Sequence, residues 1–168
     1  MTGKKVVVLG NSASGKSTLA RKLCTQESLA HLDLDNLAWQ ALSPGSSVPL
    51  RRNLDESGTE ILSFMATHRN WVIEGCYADL LAVATPEATE LIYLTIPVEI
   101  CVDNARKRPW EPHKYASKED QDKNLNMLID WIRAYETRED TFSESAHQQL
   151  YAAFPGDKRR ITELVPLP

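Results

Sequence analysis

The sequence predicts an α/β fold with a parallel five-stranded sheet and helices on both of its faces. Short apolar segments rich in β-branched residues alternate with longer segments of helical periodicity. The first apolar segment ends in a glycine-rich turn that leads into a helical segment. Alternation of this kind builds a parallel sheet whose strands are joined by helices. We therefore expect the functional site beyond the carboxyl ends of the strands.

Length and composition fit one globular domain. The chain has 168 residues, of which 42% are hydrophobic and 25% are charged, and these proportions are typical of globular proteins. We therefore treat residues 1–168 as a single domain. The formal net charge of −4 creates no broad positive field, so we expect no direct binding to nucleic acid or to an anionic membrane.

The cysteines and the N-terminus bear on where the protein works. Three widely spaced cysteines without a CxxC pair indicate reduced thiols rather than disulfides or a zinc site. The N-terminal apolar run is too short for a signal peptide, and no segment has the length of a membrane span. These features predict a cytoplasmic protein, and they carry no information on its oligomeric state.

The elements of the first half follow in order. Residues 6–9 form an apolar run that is typical of a strand at the buried centre of a parallel sheet. Residues 16–26 place leucines at helical spacing. Residues 31–35 alternate as HLDLD, which predicts a second strand ending in carboxylates. A loop rich in proline and serine at 41–49 then precedes a helical segment at 50–68.

The second half continues the alternation of strands and helices. Short apolar runs at 71–74 and 91–96 predict the third and fourth strands. Proline is well suited to a helix start, and it also ends a helix, so the prolines at 97 and 109 bound a helix. The remaining predicted elements are a loop at 110–118, a helical stripe at 125–135, a helix at 143–154 and a last strand at 160–165.

Residues 10–17 match the phosphate-binding pattern G-x-x-x-x-G-K-[ST] in full. Its glycines let backbone N–H groups turn inward onto phosphate oxygens, and the positive end of the following helix adds to anion binding. Lys16 is expected to reach the β- and γ-phosphates, and Ser17 to bind Mg²⁺. The residues predicted to hold the nucleotide are Gly10, Asn11, Ser12, Ala13, Ser14, Gly15, Lys16, Ser17 and Thr18.

The rest of the sequence narrows the class of P-loop protein. The chain lacks the N-K-x-D run with which switch GTPases read guanine. Its length also argues against AAA-type and motor ATPases, which carry additional domains. A small phosphotransferase remains, with a regulatory nucleotide-binding module that acts through a partner as the alternative.

The order and spacing of several blocks resemble the adenylate kinase-like small P-loop kinases. The blocks are GNSASGKST, HLDLDNLAW, WVIEGCY, LIYLTIP and WIRAYETR, and they span nearly the whole chain. Among these kinases the chain is most similar to the bacterial topology modulation and adenylate kinase-related proteins, and its D-x-D also resembles that of shikimate kinase. The resemblance implies a three-layer P-loop fold with an acceptor-binding region at about 36–68, a short lid at about 107–120, and Mg²⁺ and ATP as cofactors.

The resemblance also implies roles for three carboxylates. Asp33 and Asp35 match the D-x-D after the second strand, where one carboxylate helps to hold Mg²⁺ and the other meets the acceptor. Asp35 is the candidate base, and the alternative is that it caps a helix beginning at Asn36. Glu74 matches an acidic position on the metal side, where these kinases usually have aspartate.

Two pairs of arginines match positions that contact phosphates in these kinases. Arg106 and Arg108 correspond to the lid arginines that close over the phosphates, and the resemblance implies that they are catalytic, together with Lys16 and Asp35. Arg133 and Arg138 correspond to the pair downstream, of which Arg138 is expected to bind the nucleotide. A planar guanidinium can bind phosphoryl oxygens with two hydrogen bonds as charge shifts during transfer. The alternative for both pairs is a solvated basic face.

For several residues the sequence is compatible with two different roles. Arg51 and Arg52 either contact an acceptor phosphate or begin a surface helix, because residues 78–90 lack the arginine that related kinases often carry there. Trp39 and Trp110 lie near the acceptor and lid regions and are candidate ligand contacts, with packing as the alternative. The four histidines are scattered, and we predict no chemistry for them.

Overall fold

The computed structural model describes residues 3–40, 50–112 and 115–164. The loop predicted at 41–49 and part of the predicted lid lie outside these ranges. The described strands form one parallel sheet in the order β2-β3-β1-β4-β5, which confirms the predicted fold class. The strands are β1 (Lys5–Gly10), β2 (Ala30–Asp33), β3 (Trp71–Gly75), β4 (Glu90–Leu94) and β5 (Asp157–Ile161).

Helices lie on both faces of the sheet. Within the described ranges, none of them is long and apolar enough to cross a membrane. They are α1 (Lys16–Glu27), α2 (Asp35–Ala38), α3 (Leu54–Thr67), α4 (Ala78–Ala84), α5 (Val98–Lys107), α6 (Lys118–Arg133) and α7 (Glu144–Ala153).

The sheet separates two apolar cores, because alternate side chains of a strand point to opposite faces. Val7 and Leu9 of β1 pack on the side that holds α3, α4 and α7, while Val6 and Val8 pack against α1, α5 and α6. All four side chains are fully buried. The central strand is thus continuously apolar, as its sequence predicts for a parallel sheet.

The register of the sheet brings the predicted site together. Val8 of β1 is paired with Glu74 of β3, and Glu74 is in turn paired with Asp33 of β2. Parallel strands end at the same edge, so the turn after β1 lies beside the carboxyl ends of β3 and β2. Three segments that are far apart in the sequence therefore meet at one edge.

Polar side chains cap the first turns of α3, α6 and α7. Asn53 accepts hydrogen bonds from the backbone N–H groups of Asp55 at 2.8 Å and Glu56 at 3.3 Å, which starts α3 later than predicted. Ser117 and Ser143 cap α6 and α7 in the same manner. Such caps satisfy N–H groups that have no partner within the helix.

A buried polar chain ties α7 to the end of β3. His147 is fully buried, and its Nε2 lies 2.8 Å from the carbonyl oxygen of Cys76. Because a carbonyl only accepts, Nε2 carries the proton and Nδ1 accepts from the Tyr135 hydroxyl at 2.8 Å. The Tyr135 oxygen then accepts from the Tyr93 hydroxyl at 2.6 Å. Burial lowers the pKa of His147 to about 4.

We expect this histidine to make the protein less stable in acid. Its pKa falls from 6.5 in the unfolded chain to about 4 in the fold, so the unfolded state binds more protons between these values. The free energy of unfolding should therefore decrease by about 3 kcal/mol as the pH falls from about 6.5 to about 4. Urea unfolding at a series of pH values measures this loss. A His147→Gln variant is the control, and an equal pH dependence in that variant would contradict the assignment.

Candidate functional site

Gly10, the last residue of β1, and Gly15, in the turn that follows, are both required by the local geometry. Gly15 has a φ of 94°, in the left-handed region that favours glycine. A Cβ on Gly10 would lie 2.8 Å from the carbonyl oxygen of Leu94, so a side chain there would force β1 and the end of β4 apart. Helix α1 begins directly after Gly15, and its first N–H groups are therefore available to an anion.

The turn is braced from the helices that pack on the α1 side of the sheet. Asn11 is buried, and its Nδ2 donates to the carbonyl oxygen of Ile132 in α6 at 3.2 Å. Asn104 of α5 donates to the carbonyl oxygen of Ala13 at 2.9 Å. Lys16 Nζ lies 2.6 Å from the carbonyl oxygen of Asn11, which keeps the ammonium over the turn. The predicted phosphate-binding residues thus form a preorganised loop.

Glu74 and Ser17, which the sequence predicts on the metal side, are in direct contact. Glu74 is only 2% exposed, and its Oε2 accepts from the Ser17 hydroxyl at 2.6 Å. His31 Nε2 lies 3.1 Å from the same oxygen. The sequence predicts no role for His31, because its position beside Glu74 follows from the pairing of β2 with β3.

The oxygen donors around Glu74 fit a nucleotide-bound Mg²⁺. A hydroxyl and a carboxylate are hard oxygen ligands, and Mg²⁺ in nucleotide sites is held by one or two protein ligands together with phosphate oxygens. In the part of the chain that the structure describes, no group of three or more His, Cys, Asp and Glu side chains is arranged to hold a metal ion. The Mg²⁺ roles of Ser17, Asp33 and Glu74 remain predictions.

Asp35 begins α2 instead of ending β2. The structure has Leu34 at the cap position of α2 and no side-chain cap hydrogen bond, so the capping interpretation of Asp35 is not what is found. The backbone N–H of Asp35 donates to Oδ1 of Asp33 at 2.9 Å. Its own Oδ1 accepts a short hydrogen bond from the Tyr77 hydroxyl.

Tyr77 connects Asp35 to an aromatic cluster. Its hydroxyl accepts from Trp39 Nε1 at 2.8 Å while it donates to Asp35. Burial raises the pKa of Tyr77 well above its ordinary value, so the hydroxyl keeps its proton and remains a donor. We define the aromatic cluster as Trp39, Tyr77, Trp131 and Phe142, which are joined by ring contacts of 4.8 to 6.3 Å between centroids.

Two arginines from distant parts of the chain lie against this aromatic cluster. The Arg51 guanidinium is 5.4 Å from the Phe142 ring centroid, and that of Arg138 is 5.2 Å from the same centroid. Each also pairs with a carboxylate, Arg51 with Asp79 at 3.2 Å and Arg138 with Asp140 at 2.8 Å from Nε. Both guanidiniums are therefore already held in place.

Arg52 takes a different position from its neighbour. Its guanidinium pairs with Glu60 at 2.6 Å and donates to the carbonyl oxygen of Leu37 at 3.3 Å, which joins α3 to α2. Arg51 instead contacts the aromatic cluster. The structure thus separates two adjacent arginines that the sequence could not distinguish.

The lid arginines pair with carboxylates of their own segments. Arg106 lies 3.8 Å from Asp103, and Arg108 lies 3.3 Å from Glu111. Arg133 joins the surfaces of α6 and α5 through Glu99 at 3.2 Å. Trp110, the second candidate ligand contact, is partly exposed and donates to the Tyr115 carbonyl oxygen at 3.1 Å. Phosphate contacts by these arginines remain predictions.

Comparisons with solved structures show the fold. A gluconokinase from Sinorhizobium meliloti has a TM-score of 0.52 and 16% identity, over 96% of this chain and 85% of that chain. An unliganded sugar kinase from Janibacter sp. has a TM-score of 0.49 and 15% identity, over 95% and 85% of the two chains. The search of curated protein sequences found no significant match to this chain.

A protein-family model described as an AAA domain matches residues 6–126. The match begins in β1, includes the phosphate-binding turn, Asp35 and Glu74, and ends within α6. The argument from chain length against AAA-type proteins is therefore wrong for this chain, because the matched range fits within its 168 residues. As the match spans well over half of the sequence, this chain belongs to the AAA domain family of P-loop proteins.

Proposed function

We propose that this protein is a kinase that transfers the γ-phosphoryl group of Mg-ATP to a small-molecule or nucleotide acceptor. One observation carries the proposal: a complete P-loop follows β1, and an oriented carboxylate, Asp35, follows β2 at the same edge of the sheet. A nucleotide site alone suffices for a regulatory module, whereas an oriented carboxylate suits a second substrate. The gluconokinase with the same fold supports phosphotransfer.

Residues 10–18 would hold the nucleotide. Backbone N–H groups of the turn and the Lys16 ammonium would contact the phosphates, as the P-loop pattern requires. Ser17 and Glu74, with Asp33 paired to Glu74 in the sheet, would hold Mg²⁺. When it is bound, Mg²⁺ neutralises negative charge on the phosphates. These groups position the nucleotide, and positioning with charge stabilisation is most of what phosphoryl transfer needs.

Asp35 would receive or orient the acceptor hydroxyl. The Tyr77 hydroxyl donates to Oδ1 of Asp35 and so restricts the rotation of the carboxylate. A carboxylate held in this way can accept the proton of an acceptor hydroxyl, or align the hydroxyl for attack. Arg106 and Arg108 would exchange their present carboxylate partners, Asp103 and Glu111, for phosphoryl oxygens when the lid closes.

The aromatic cluster and its two arginines would form the acceptor side of the site. Flat apolar rings next to guanidinium groups suit a small molecule with an anionic group, because guanidinium binds carboxylate or phosphate with two hydrogen bonds. Arg51 and Arg138 both contact Phe142, so both guanidiniums border the same aromatic ring. We propose that Arg138 contacts the acceptor, because it lies against Phe142, whereas the family resemblance implies that it contacts the nucleotide.

The test of the proposed function is ATP consumption with Mg²⁺ in the presence of paired acceptors. Each pair differs in one anionic group: gluconate with glucitol, and a nucleoside monophosphate with its nucleoside. The Lys16→Ala protein is the blank. Acceptor-dependent turnover that favours the anionic member supports the proposal. Tight ATP binding without stimulation by any acceptor would instead indicate the regulatory module.

Replacement of Arg51 tests the acceptor side by itself. We expect Arg51→Ala to raise KM for the anionic acceptor by about tenfold to a hundredfold, because a charged hydrogen bond contributes about 1.5–3 kcal/mol. KM for ATP should not change. Arg52→Ala is the matched control, since Arg52 pairs with Glu60 instead. Equal effects of the two substitutions on the acceptor KM would contradict the assignment.

A further inference from the structure

His31 is the one histidine of the described chain that contacts a residue of the proposed metal side. It lies in β2 and is paired with Val72 of β3, while Asp33 is paired with Glu74. Val72 and Glu74 point to the same face of β3, since side chains alternate along a strand. His31 therefore lies on the face that carries Glu74, one step below it in the sheet.

The hydrogen bonds of Glu74 show what His31 does in this position. Glu74 is 2% exposed, and a buried carboxylate is stable only when donors surround it. The Ser17 hydroxyl and His31 Nε2 converge on the same oxygen, Oε2, at 2.6 Å and 3.1 Å. A carboxylate oxygen accepts, so the histidine donates from Nε2. Two donors on one oxygen restrict the carboxylate to one orientation.

This orientation matters for Ser17. Its hydroxyl hydrogen is directed at Glu74, and its oxygen lone pairs consequently point away from Glu74. Those lone pairs are what a serine hydroxyl offers to a cation. A rotation of the Glu74 carboxylate would turn the Ser17 hydroxyl with it. His31 donates to the same Glu74 oxygen that accepts from Ser17, and so acts on Ser17 through Glu74.

We infer that His31 is a positioning residue for the divalent cation of the nucleotide, acting through Glu74 on the Ser17 hydroxyl. The inference rests on the nucleotide-binding part of the proposed function and is independent of phosphotransfer. Removal of a residue that hydrogen-bonds to a metal ligand typically weakens metal affinity by about 10–100-fold.

The experiment measures Mn²⁺ binding by electron paramagnetic resonance in full-length protein saturated with AMP-PNP. Mn²⁺ is the probe because it accepts the same oxygen ligands as Mg²⁺. We expect His31→Ala to weaken Mn²⁺ binding by about tenfold. AMP-PNP affinity in EDTA should remain at the wild-type value, because His31 contacts no residue of the turn at 10–16 among the hydrogen bonds described. His68→Ala, which removes an exposed histidine at the end of α3, is the matched control.

Two further variants separate positioning from a purely structural role. His31→Gln keeps a side-chain N–H donor and should recover most of the Mn²⁺ affinity. In a Glu74→Ala background, which removes the oxygen that accepts from His31, His31→Ala should have little further effect, because the two residues act as one unit. Wild-type Mn²⁺ affinity in His31→Ala, or a full tenfold loss in the Glu74→Ala background, would overturn the inference. Lack of acceptor turnover in the wild type would count only against the kinase proposal.

Discussion

Replacement of Lys16 by alanine is expected to weaken ATP binding by at least about 100-fold. Lys16 is the fixed lysine of the P-loop, and its ammonium lies over the turn, 2.6 Å from the Asn11 carbonyl oxygen. Removal of one partner from a charged pair in a binding site costs about 2–5 kcal/mol, and about 2.7 kcal/mol corresponds to 100-fold. Calorimetric titration of the variant with ATP measures the loss.

The fold should tolerate this substitution. Lys16 is the first residue of α1, where a positive charge is unfavourable next to the positive end of the helix. Alanine also has the highest helix propensity. We therefore expect a melting temperature at or slightly above that of the wild type. Lys22→Ala, further along α1, is the matched control, and unchanged ATP affinity in Lys16→Ala would refute the nucleotide site.

Replacement of Asp35 by asparagine is expected to lower kcat by about 10²–10⁴-fold, the usual contribution of a general base. Asparagine keeps the size of the side chain and can still accept the hydrogen bond from Tyr77, so the local structure should persist. It cannot accept a proton at neutral pH. ATP affinity should remain close to the wild-type value, because the variant leaves the turn at 10–18 unchanged.

The measurement is steady-state kinetics with the acceptor identified by the paired panel. Asp55→Asn serves as the control, because Asp55 is an exposed carboxylate in the first turn of α3. Undiminished turnover in Asp35→Asn would remove the base role. A Tyr77→Phe variant adds a check: it should lower kcat by a smaller factor, since Asp35 keeps its charge and loses one orienting hydrogen bond.

Structural features that depend on consecutive residues could be predicted accurately from the sequence. The apolar run of β1 and the glycine pattern after it are local, and their geometry agrees with the structure at Gly10 and Gly15. The central strands β3 and β4 are buried on both faces, which requires apolar residues at nearly every position. Such segments leave a strong signal in a single sequence.

Elements with weak local signals were missed or displaced. Helix α4 has seven residues, ADLLAVA, and a short apolar run cannot be assigned to helix or strand from its periodicity. Strand β5 was predicted three residues too late, because it is an edge strand whose residues Asp157–Arg160 are charged and exposed. Asp35 was placed in β2, although the strand ends at Asp33 and a short helix follows.

The residues of the proposed site also fall into two groups, those that the local sequence predicts and those that depend on tertiary contacts. Lys16 and Ser17 follow from eight consecutive residues, since a P-loop binds phosphate mainly through its own backbone and needs no distant partner. The contact of His31 with Glu74 depends on which strands are neighbours. The approach of both Arg51 and Arg138 to Phe142 depends on where the chain returns after α6. The strand order β2-β3-β1-β4-β5 results from the packing of both cores together. Hydrophobic periodicity along the chain indicates which residues are buried, but it does not indicate which segments pack against each other. These contacts therefore could be identified only in the folded structure.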